Sequence, residues 1–582
     1  MINYRKFAVA ASLLLFGAAG CADLAVTNVN DPERERALAK ADDVESLVVG
    51  SYRQWWLAQQ EEGNENGAPG LFLASAAFEW SSTAANFGIL QYSRIPREPV
   101  QNTSTHADYG HFATAWSRNY RAIAAASEGL RSFAENPALG EELGAQRLLR
   151  ARILGRFVMG LSHGSIALMY DRGYVVDETV DVVDENGAPI LLGEPVGYQQ
   201  VMNAAIGYLT DAINLSSTPA AAGLTIPSDW MASTEEEVTM AQFRRLAYSM
   251  RARLRANVAR TPAERAAVNW TAVLDDTRQG ITTDWIDDRG HTYNSWQGQI
   301  GSIYYPATST FGQSTLFGIG MADTSGTFQR WLAVPVADRT QLIGGQNALI
   351  HTPDRRFPKG SNLTSQSATP GLYYGARGSN QFTRPERGSW RWSYYFNRQV
   401  TTASNATANS YNTSWALIRR AEVRLLAAEG LYRTGQLAAA ADSINITRWA
   451  RGIGTKLVPD TTTPDTTDRI SVPDTLYHAG LNPTNAAGLN TSCVPRLPNG
   501  DCGGLWEMLK WEKRMETFLA GPLLSSWYFD GRGWGDLYRG TPLQFPIPDE
   551  QGQVLGLGAA YTFGGVGGQF GAPVSSYAFP GE

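Results

Sequence analysis

One short segment of the sequence fits the spacing of a hydrolase nucleophile. Gly160-Leu161-Ser162-His163-Gly164 matches the pattern G-x-S-x-G, which requires a strand before the serine and a helix after it. Here the pattern lies inside a run of helical periodicity predicted over 142–169, and its glycines would allow helix backbones to approach closely. We therefore interpret the match as helix packing and expect no catalytic serine here.

Other arrangements that could support chemistry are weaker. His106 and His111 are five residues apart in a polar stretch, but no third ligand is evident, so we expect no metal site and no cofactor. A glycoside hydrolase needs only two carboxylates at a defined separation. Because the chain has 55 Asp and Glu, composition alone leaves a carbohydrate hydrolase open.

The N-terminus predicts export and a lipid anchor. A basic start is followed by an apolar run from Phe7 to about Phe16, too short to span a bilayer and typical of a signal peptide over residues 1–20. Ala18-Ala19-Gly20-Cys21 then resembles a lipobox, in which Cys21 would be acylated, for example with palmitate, and become the first mature residue. Ordinary secretory cleavage, with Cys21 as a free thiol, is the alternative.

The two remaining cysteines predict a disulfide. Cys493 and Cys502 bracket a loop rich in Pro, Asn and Gly, in a chain expected to reach an oxidising compartment. A metal site would need four ligands, and no His or Cys pair lies nearby in the sequence. We expect a Cys493–Cys502 bond.

Length and charge limit the class of protein. A chain of 582 residues is too long for one compact core, so several lobes or an extended repeat scaffold are expected. The net charge of −6, without a basic cluster, argues against nucleic-acid binding.

Hydrophobic periodicity predicts a mainly α fold. A 3.6-residue period recurs through a helical part at about 40–280, and Thr239 with Gln242 reads as a capping box. Residues 415–452 read as two helices joined at Gly435, with spacings close to those of a tetratricopeptide pair. An aromatic, loop-rich part with a few short strands is expected at about 281–410, and helix returns at 505–519 within a C-terminal part at about 411–582.

Several motifs resemble the SusD/RagB family of outer-membrane nutrient-binding lipoproteins. They occur in the family's order along nearly the whole mature chain. They are Asn30-Asp31-Pro32, the Trp116–Ile123 helix, Asp354-Arg355-Arg356, Arg387-Gly388-Ser389-Trp390, Arg420-Ala421-Glu422 with Gly435, Ala440, Ile444-Asn445, Arg448 and Arg451, then Trp511–Glu516, Gly535–Arg539 and Phe545–Pro548. In the family, the Glu helix usually leads directly into a G-x-R-x-x-D-L element, whereas GPLLSSWYFDGRGW intervenes here.

The resemblance implies a fold and a function. It implies a single SusD-like domain over 21–582, with tetratricopeptide-like helix pairs as scaffold and long irregular loops. It also implies a lipid-anchored protein on the outer face of the outer membrane, which binds oligosaccharide or peptide and acts with a TonB-dependent SusC-like transporter in nutrient uptake. The resemblance implies no enzyme and no catalytic residue. The alternatives are an exported tetratricopeptide-type protein-binding scaffold and, less favoured, a carbohydrate hydrolase.

Aromatic side chains in loops are the candidates for ligand binding. Flat rings can lie under the C–H faces of sugars, while neighbouring polar groups bond the hydroxyls. Two loop clusters combine both kinds of residue. The candidates are Trp80, Asn86 and Tyr92 in the first cluster, and Trp285, Tyr293, Trp296 and Tyr304 in the second, next to Asp284 and Asn294. Packing of these rings beneath the loops is the alternative.

Overall fold

The structure is a computed structural model of the chain. It describes residues 38–60, 69–81, 92–97, 103–106, 109–182, 190, 192–233, 237–287, 313–378, 393–399, 415–451, 453, 458–459, 470–471, 493–518 and 526–556. The signal peptide and Cys21 lie outside these ranges.

Helices dominate the described part of the chain. The N-terminal half contains α1 (Ala41–Gln60), α2 (Pro69–Ala76), α3 (Gly110–Glu135), α4 (Pro137–Leu143), α5 (Ala145–Met169), α6 (Tyr198–Ser216), α7 (Met240–Asn257), α8 (Pro262–Ala266) and α9 (Trp270–Arg278). The remainder contains α10 (Leu316–Ile319), α11 (Thr327–Leu332), α12 (Leu363–Ala368), α13 (Arg420–Arg433), α14 (Leu437–Ala450), α15 (Leu505–Glu516), α16 (Ser526–Trp534) and α17 (Asp549–Val554). Single 3-10 turns occur at Pro219–Ala221, Ser228–Trp230, Gly320–Ala322 and Val336–Asp338.

Strands are short and pair only as two-stranded antiparallel ribbons in the described ranges. The pairs are β1 (Arg172–Gly173) with β2 (Val196–Gly197), β3 (Thr225–Pro227) with β4 (Glu237–Thr239), β5 (Trp285–Asp287) with β10 (Trp415–Ile418), β6 (Leu342–Ile343) with β7 (Gln346–Asn347), β8 (Tyr374–Ala376) with β9 (Tyr395–Asn397), and β11 (Val458–Pro459) with β12 (Ile470–Ser471). The prediction of a mainly α fold with a few short strands is confirmed.

Helix pairs form the scaffold. α3 packs on α1 and α5, α5 packs on α6, α9 packs on α7 and α13, and α13 packs on α14. The first helices surround the largest apolar core, while a second core lies under the loop-rich part and α15. As expected, the capping box of Thr239 and Gln242 begins α7. None of the helices in the described ranges is both long enough and apolar enough to cross a bilayer.

The segment 415–452 corrects one detail of the prediction. Its two helices are α13 and α14, joined at Gly435, whose φ of +78° suits a residue without a side chain. However, α13 begins only at Arg420, because residues 415–418 form β10 and pair with β5. Ile418, expected on a helix face, instead lies buried in a strand opposite Trp285. This ribbon connects the end of the N-terminal helical part to the C-terminal pair.

Candidate functional site

The two glutamates of the α13 helix have structural partners. Glu422 accepts two bonds from the Arg253 guanidinium, at 2.6 and 2.7 Å. Glu429 accepts from Arg265 at 2.9 and 2.7 Å and from the Trp534 indole at 3.0 Å. Burial raises the pKa of Glu429, but Arg265 and the neighbouring cations outweigh that effect and lower it to about 2. Both carboxylates join helices, and the lowered pKa of Glu429 makes that residue unsuited to accept or donate a proton near neutral pH.

The G-x-S-x-G segment is part of a packed helix. A Cβ on Gly160 would lie 2.6 Å from Leu209 Cγ, and one on Gly164 would lie 2.5 Å from Leu254 Cδ1. Both glycines therefore allow α5 to approach its neighbours closely, as expected. Ser162 is fully buried in the middle of α5, without the strand and sharp turn that a nucleophile elbow requires.

His163 in the same segment is held as a neutral ring. Its Nε2 accepts from the Val176 backbone N–H at 3.2 Å, so Nδ1 carries the proton and donates to the Met159 carbonyl at 2.7 Å. Burial lowers its pKa to about 4. Both ring nitrogens are thus occupied by backbone groups, which leaves none for a substrate or a metal.

Two candidates of the first aromatic cluster pack against other residues. Trp80 has no exposed surface and lies in the second apolar core. A ring covered on both faces cannot lie against a sugar, so this structure does not place Trp80 at a ligand surface. Tyr92 is half-buried, and its ring centroid lies 4.0 Å from that of Phe72. Asn86, the polar member of the cluster, lies outside the described residues.

Trp285, from the second aromatic cluster, borders a small cleft at the β5–β10 ribbon. Trp285 and Asp284 line it, together with Arg245 and Gln242 from α7. The cleft volume is about 60 Å³, which admits one small group rather than a whole ligand, because drug-sized pockets occupy roughly 300–1,000 Å³. Tyr293, Trp296 and Tyr304, the remaining candidates, lie outside the described residues.

Asp284 and Trp285 have different roles at this cleft. The Asp284 carboxylate accepts a 2.8 Å bond from the Arg420 backbone N–H, which opens α13. Trp285 is 8% exposed, and its indole N–H has no hydrogen-bond partner among the residues that the structure describes. An unpaired buried donor costs roughly 1–3 kcal/mol. The cleft therefore contains one carboxylate with a structural partner and one ring with an unused donor.

Sequence reasoning missed a second and larger cleft. It has a volume of about 530 Å³ and lies between residues 355–359 and 369–372, with Arg355, Lys359 and Arg398 in its wall. The sequence signal that could have indicated this cleft is the Asp354-Arg355-Arg356 turn followed by Lys359, because this stretch has more cations than carboxylates. We name this the basic cleft.

Two further predictions concern cysteines and metals. Cys493 and Cys502 form a disulfide in the structure, the pairing expected from the sequence. In the ranges that the structure describes, no group of three or more His, Cys, Asp or Glu is placed to hold a metal ion.

Comparison with known proteins identifies the fold. The model of the SusD family matches residues 302–469. A SusD homolog from Parabacteroides distasonis aligns with 13% identity and a TM-score of 0.54, covering 92% of this chain and 97% of that one. A SusD homolog from Bacteroides thetaiotaomicron aligns with 11% identity and a TM-score of 0.50, covering 89% and 97%. The resemblance to the SusD/RagB family is confirmed. No curated protein matches the chain.

SusD-family proteins are binding proteins associated with the cell surface or outer membrane, and their role is nutrient binding with a SusC partner.

Several SusD-like motifs that are distant in this sequence meet at one buried cluster of charges. Arg356 lies 2.9 Å from both Asp354 and Glu512 and 3.3 Å from Glu516. Arg448 contacts Glu512 at 3.3 Å, and Arg451 contacts Glu516 at 3.2 Å.

We call these six residues the charge hub, comprising Asp354, Arg356, Arg448, Arg451, Glu512 and Glu516. Burial opposes the charge of Arg356, but the three carboxylates outweigh it and hold its pKa well above the ordinary value. Burial also raises the pKa of Glu512, whereas for Glu516 the guanidiniums overcome burial and lower the pKa. The SusD-like motifs of the C-terminal part therefore serve to fasten α14 and α15 to the loop-rich part.

Proposed function

We propose that this chain is a cell-surface nutrient-binding lipoprotein, without catalytic activity, that captures an oligosaccharide or peptide and delivers it to a TonB-dependent SusC-like transporter. The observation that carries the proposal is the likeness to a SusD homolog over 92% of the chain, together with the family match at 302–469. The buried partners of Glu422, Glu429 and His163 support a binding role over a hydrolytic one.

The proposal includes an anchor and one mature domain. Residues 1–20 form the signal peptide, Cys21 carries the lipid, and 21–582 act as one SusD-like unit on the outer face of the outer membrane. Replacing Cys21 by Ser should release the protein from the membrane fraction, because acyl chains supply the attachment. Retention of C21S in that fraction would contradict the lipid anchor.

Extraction of outer membranes in mild detergent tests the partner. Affinity capture of this protein should recover a TonB-dependent barrel, identified by mass spectrometry. Capture of C21S, expressed to the same level, is the matched control for attachment. Recovery of the anchored protein without a barrel would contradict delivery to a transporter and favour a free-standing binder or scaffold.

Trp285 in β5 and the aromatic residues that follow this strand are the proposed sugar contacts. Trp285 lines the small cleft, and Tyr293, Trp296 and Tyr304 follow it closely in the sequence. Trp296→Ala should weaken oligosaccharide binding about tenfold, since a ring contact contributes roughly 0.5–1.5 kcal/mol beyond the area it buries. Trp506→Ala, on α15, is the control, and equal affinities in the two variants would contradict this assignment.

A further inference from the structure

The basic cleft has a backbone frame that is already hydrogen-bonded. The Leu372 N–H donates to the Arg355 carbonyl at 2.9 Å, and the Lys359 N–H donates to the Thr369 carbonyl at 3.0 Å. A Cβ on Gly371 would lie 2.3 Å from the Arg356 carbonyl oxygen, so the two walls meet where no side chain fits. The frame is therefore closely packed, and its backbone groups are engaged.

Three cationic side chains line the basic cleft, namely those of Arg355, Lys359 and Arg398. Arg355 and Lys359 are exposed, and within the described part of the chain neither side chain has an ion-pair or hydrogen-bond partner. Arg398 is half-buried and is oriented by a 3.1 Å bond from its guanidinium to the Gly371 carbonyl. No acidic residue is among those that line the described cleft.

The carboxylates of the charge hub do not neutralise Arg355 and Lys359. Asp354 precedes Arg355 directly, but it lies fully inside the charge hub and bonds Arg356. In the hub, three carboxylates face three guanidiniums, so its charges are matched internally. Within the described part of the chain, no carboxylate pairs with Arg355 or Lys359, so these two residues give the basic cleft a positive charge although the net charge of the protein is −6.

The cleft also has an apolar wall. Leu372 is 50% exposed and is one of the few large hydrophobic side chains at the described surface. Pro370 beside it is exposed as well. An acidic pyranose presents both a C–H face and an anionic edge, which suits an apolar wall beside guanidinium and ammonium groups. A peptide is less suited, because it would need backbone partners that the frame no longer offers.

We propose that the basic cleft binds the oxyanion of an acidic sugar residue, a uronate carboxylate or a sulfate ester, within the captured oligosaccharide. This inference rests on the proposed nutrient-binding function and names its ligand class. Arg355 and Lys359 contact the oxyanion, Arg398 borders it, and the C–H face of the sugar lies on Leu372. The volume of about 530 Å³ accommodates one or two sugar rings.

Calorimetric titration of the detergent-solubilised protein tests this inference. The probes are an oligogalacturonide (carboxylate), a chondroitin sulfate oligosaccharide (carboxylate and sulfate) and a neutral malto-oligosaccharide of similar length. We expect at least one acidic probe to bind and the double variant Arg355→Ala/Lys359→Ala to weaken it at least tenfold. A preference for the sulfated probe would identify sulfate as the better oxyanion.

The control is Arg121→Ala/Arg152→Ala, which removes the same charge from exposed positions on α3 and α5. Unchanged affinity in this control, with unchanged melting temperatures in both double variants, would support a local site. Equal weakening in the two double variants, or no binding of either acidic probe, would overturn the inference. Co-purification of a barrel or binding of the neutral probe would then still support the proposed function.

Discussion

The charge hub and the basic cleft are adjacent in the sequence but opposite in environment. Arg356 is fully buried among three carboxylates, whereas Arg355, the residue before it, is exposed without an ion pair in the described part of the chain. A buried charge requires partners because its desolvation is costly. An exposed charge is solvated by water and is free to meet a ligand. Cations in the hub therefore hold the fold, and cations in the cleft are available for binding.

Removing the central arginine of the hub should have the largest effect. Arg356→Met would leave Asp354 and Glu512 buried without their main partner, and breaking a buried pair in this way costs about 3–5 kcal/mol. Urea denaturation should show a free energy of unfolding lowered by that amount. Arg355→Met is the matched control, and similar losses in both variants would contradict the distinction between hub and cleft.

Lowering the pH should cause the next largest loss of stability, through the buried side chain of His163. The folded-state pKa of His163 is about 4, against an ordinary value of 6.5. Because the unfolded chain takes up this proton first, stability falls as the pH is lowered from about 6.5 to 4, by about 3 kcal/mol from this group.

His163→Gln isolates that contribution. Glutamine does not titrate, and its amide can both accept from Val176 and donate to Met159. Unfolding measured between pH 7 and pH 4 should therefore show a flatter decline in the variant. Parallel curves for the wild type and the variant would show that His163 is not held neutral.

Arg398 should be intermediate between hub and cleft. It is half-buried and bonds the Gly371 carbonyl, so Arg398→Met should cost at least about 1 kcal/mol, the net value of that hydrogen bond. Its melting temperature should lie between those of the Arg356 and Arg355 variants. A loss of stability as large as that caused by Arg356→Met would contradict this ranking and show that Arg398 stabilises the fold as strongly as the charge hub.

The exposed cations should have the smallest effect on stability. Arg355→Met/Lys359→Met should change the free energy of unfolding by less than about 0.5 kcal/mol, because exposed residues without partners contribute little. Binding of an acidic oligosaccharide should nevertheless fall and should depend on salt in the wild type. Salt-independent binding of that probe would argue against an exposed ionic contact.

The sequence by itself determined the helices and their local signals. The capping box at Thr239, the turn at Gly435 and the packing role of Gly160 and Gly164 follow from backbone preferences and periodicity, which act over a few residues. Glu422 and Glu429 lie on a buried helix face, where a charged residue needs a partner, but the partners Arg253 and Arg265 come from distant parts of the chain. The short motifs shared with the SusD/RagB family also indicated the fold, because they can be read from the sequence alone.

Only the tertiary structure decided which side chains are exposed and which charges are paired. Trp80 and Trp285 looked equivalent in the sequence, yet one is enclosed in a core and the other lines a cleft. Residues 415–418 form a strand because a distant segment, β5, supplies the pairing partner. Arg355 and Arg356 differ because only one of them faces carboxylates contributed from residues 156–160 positions away. Such long-range contacts have no local signature, so periodicity and composition cannot reveal them.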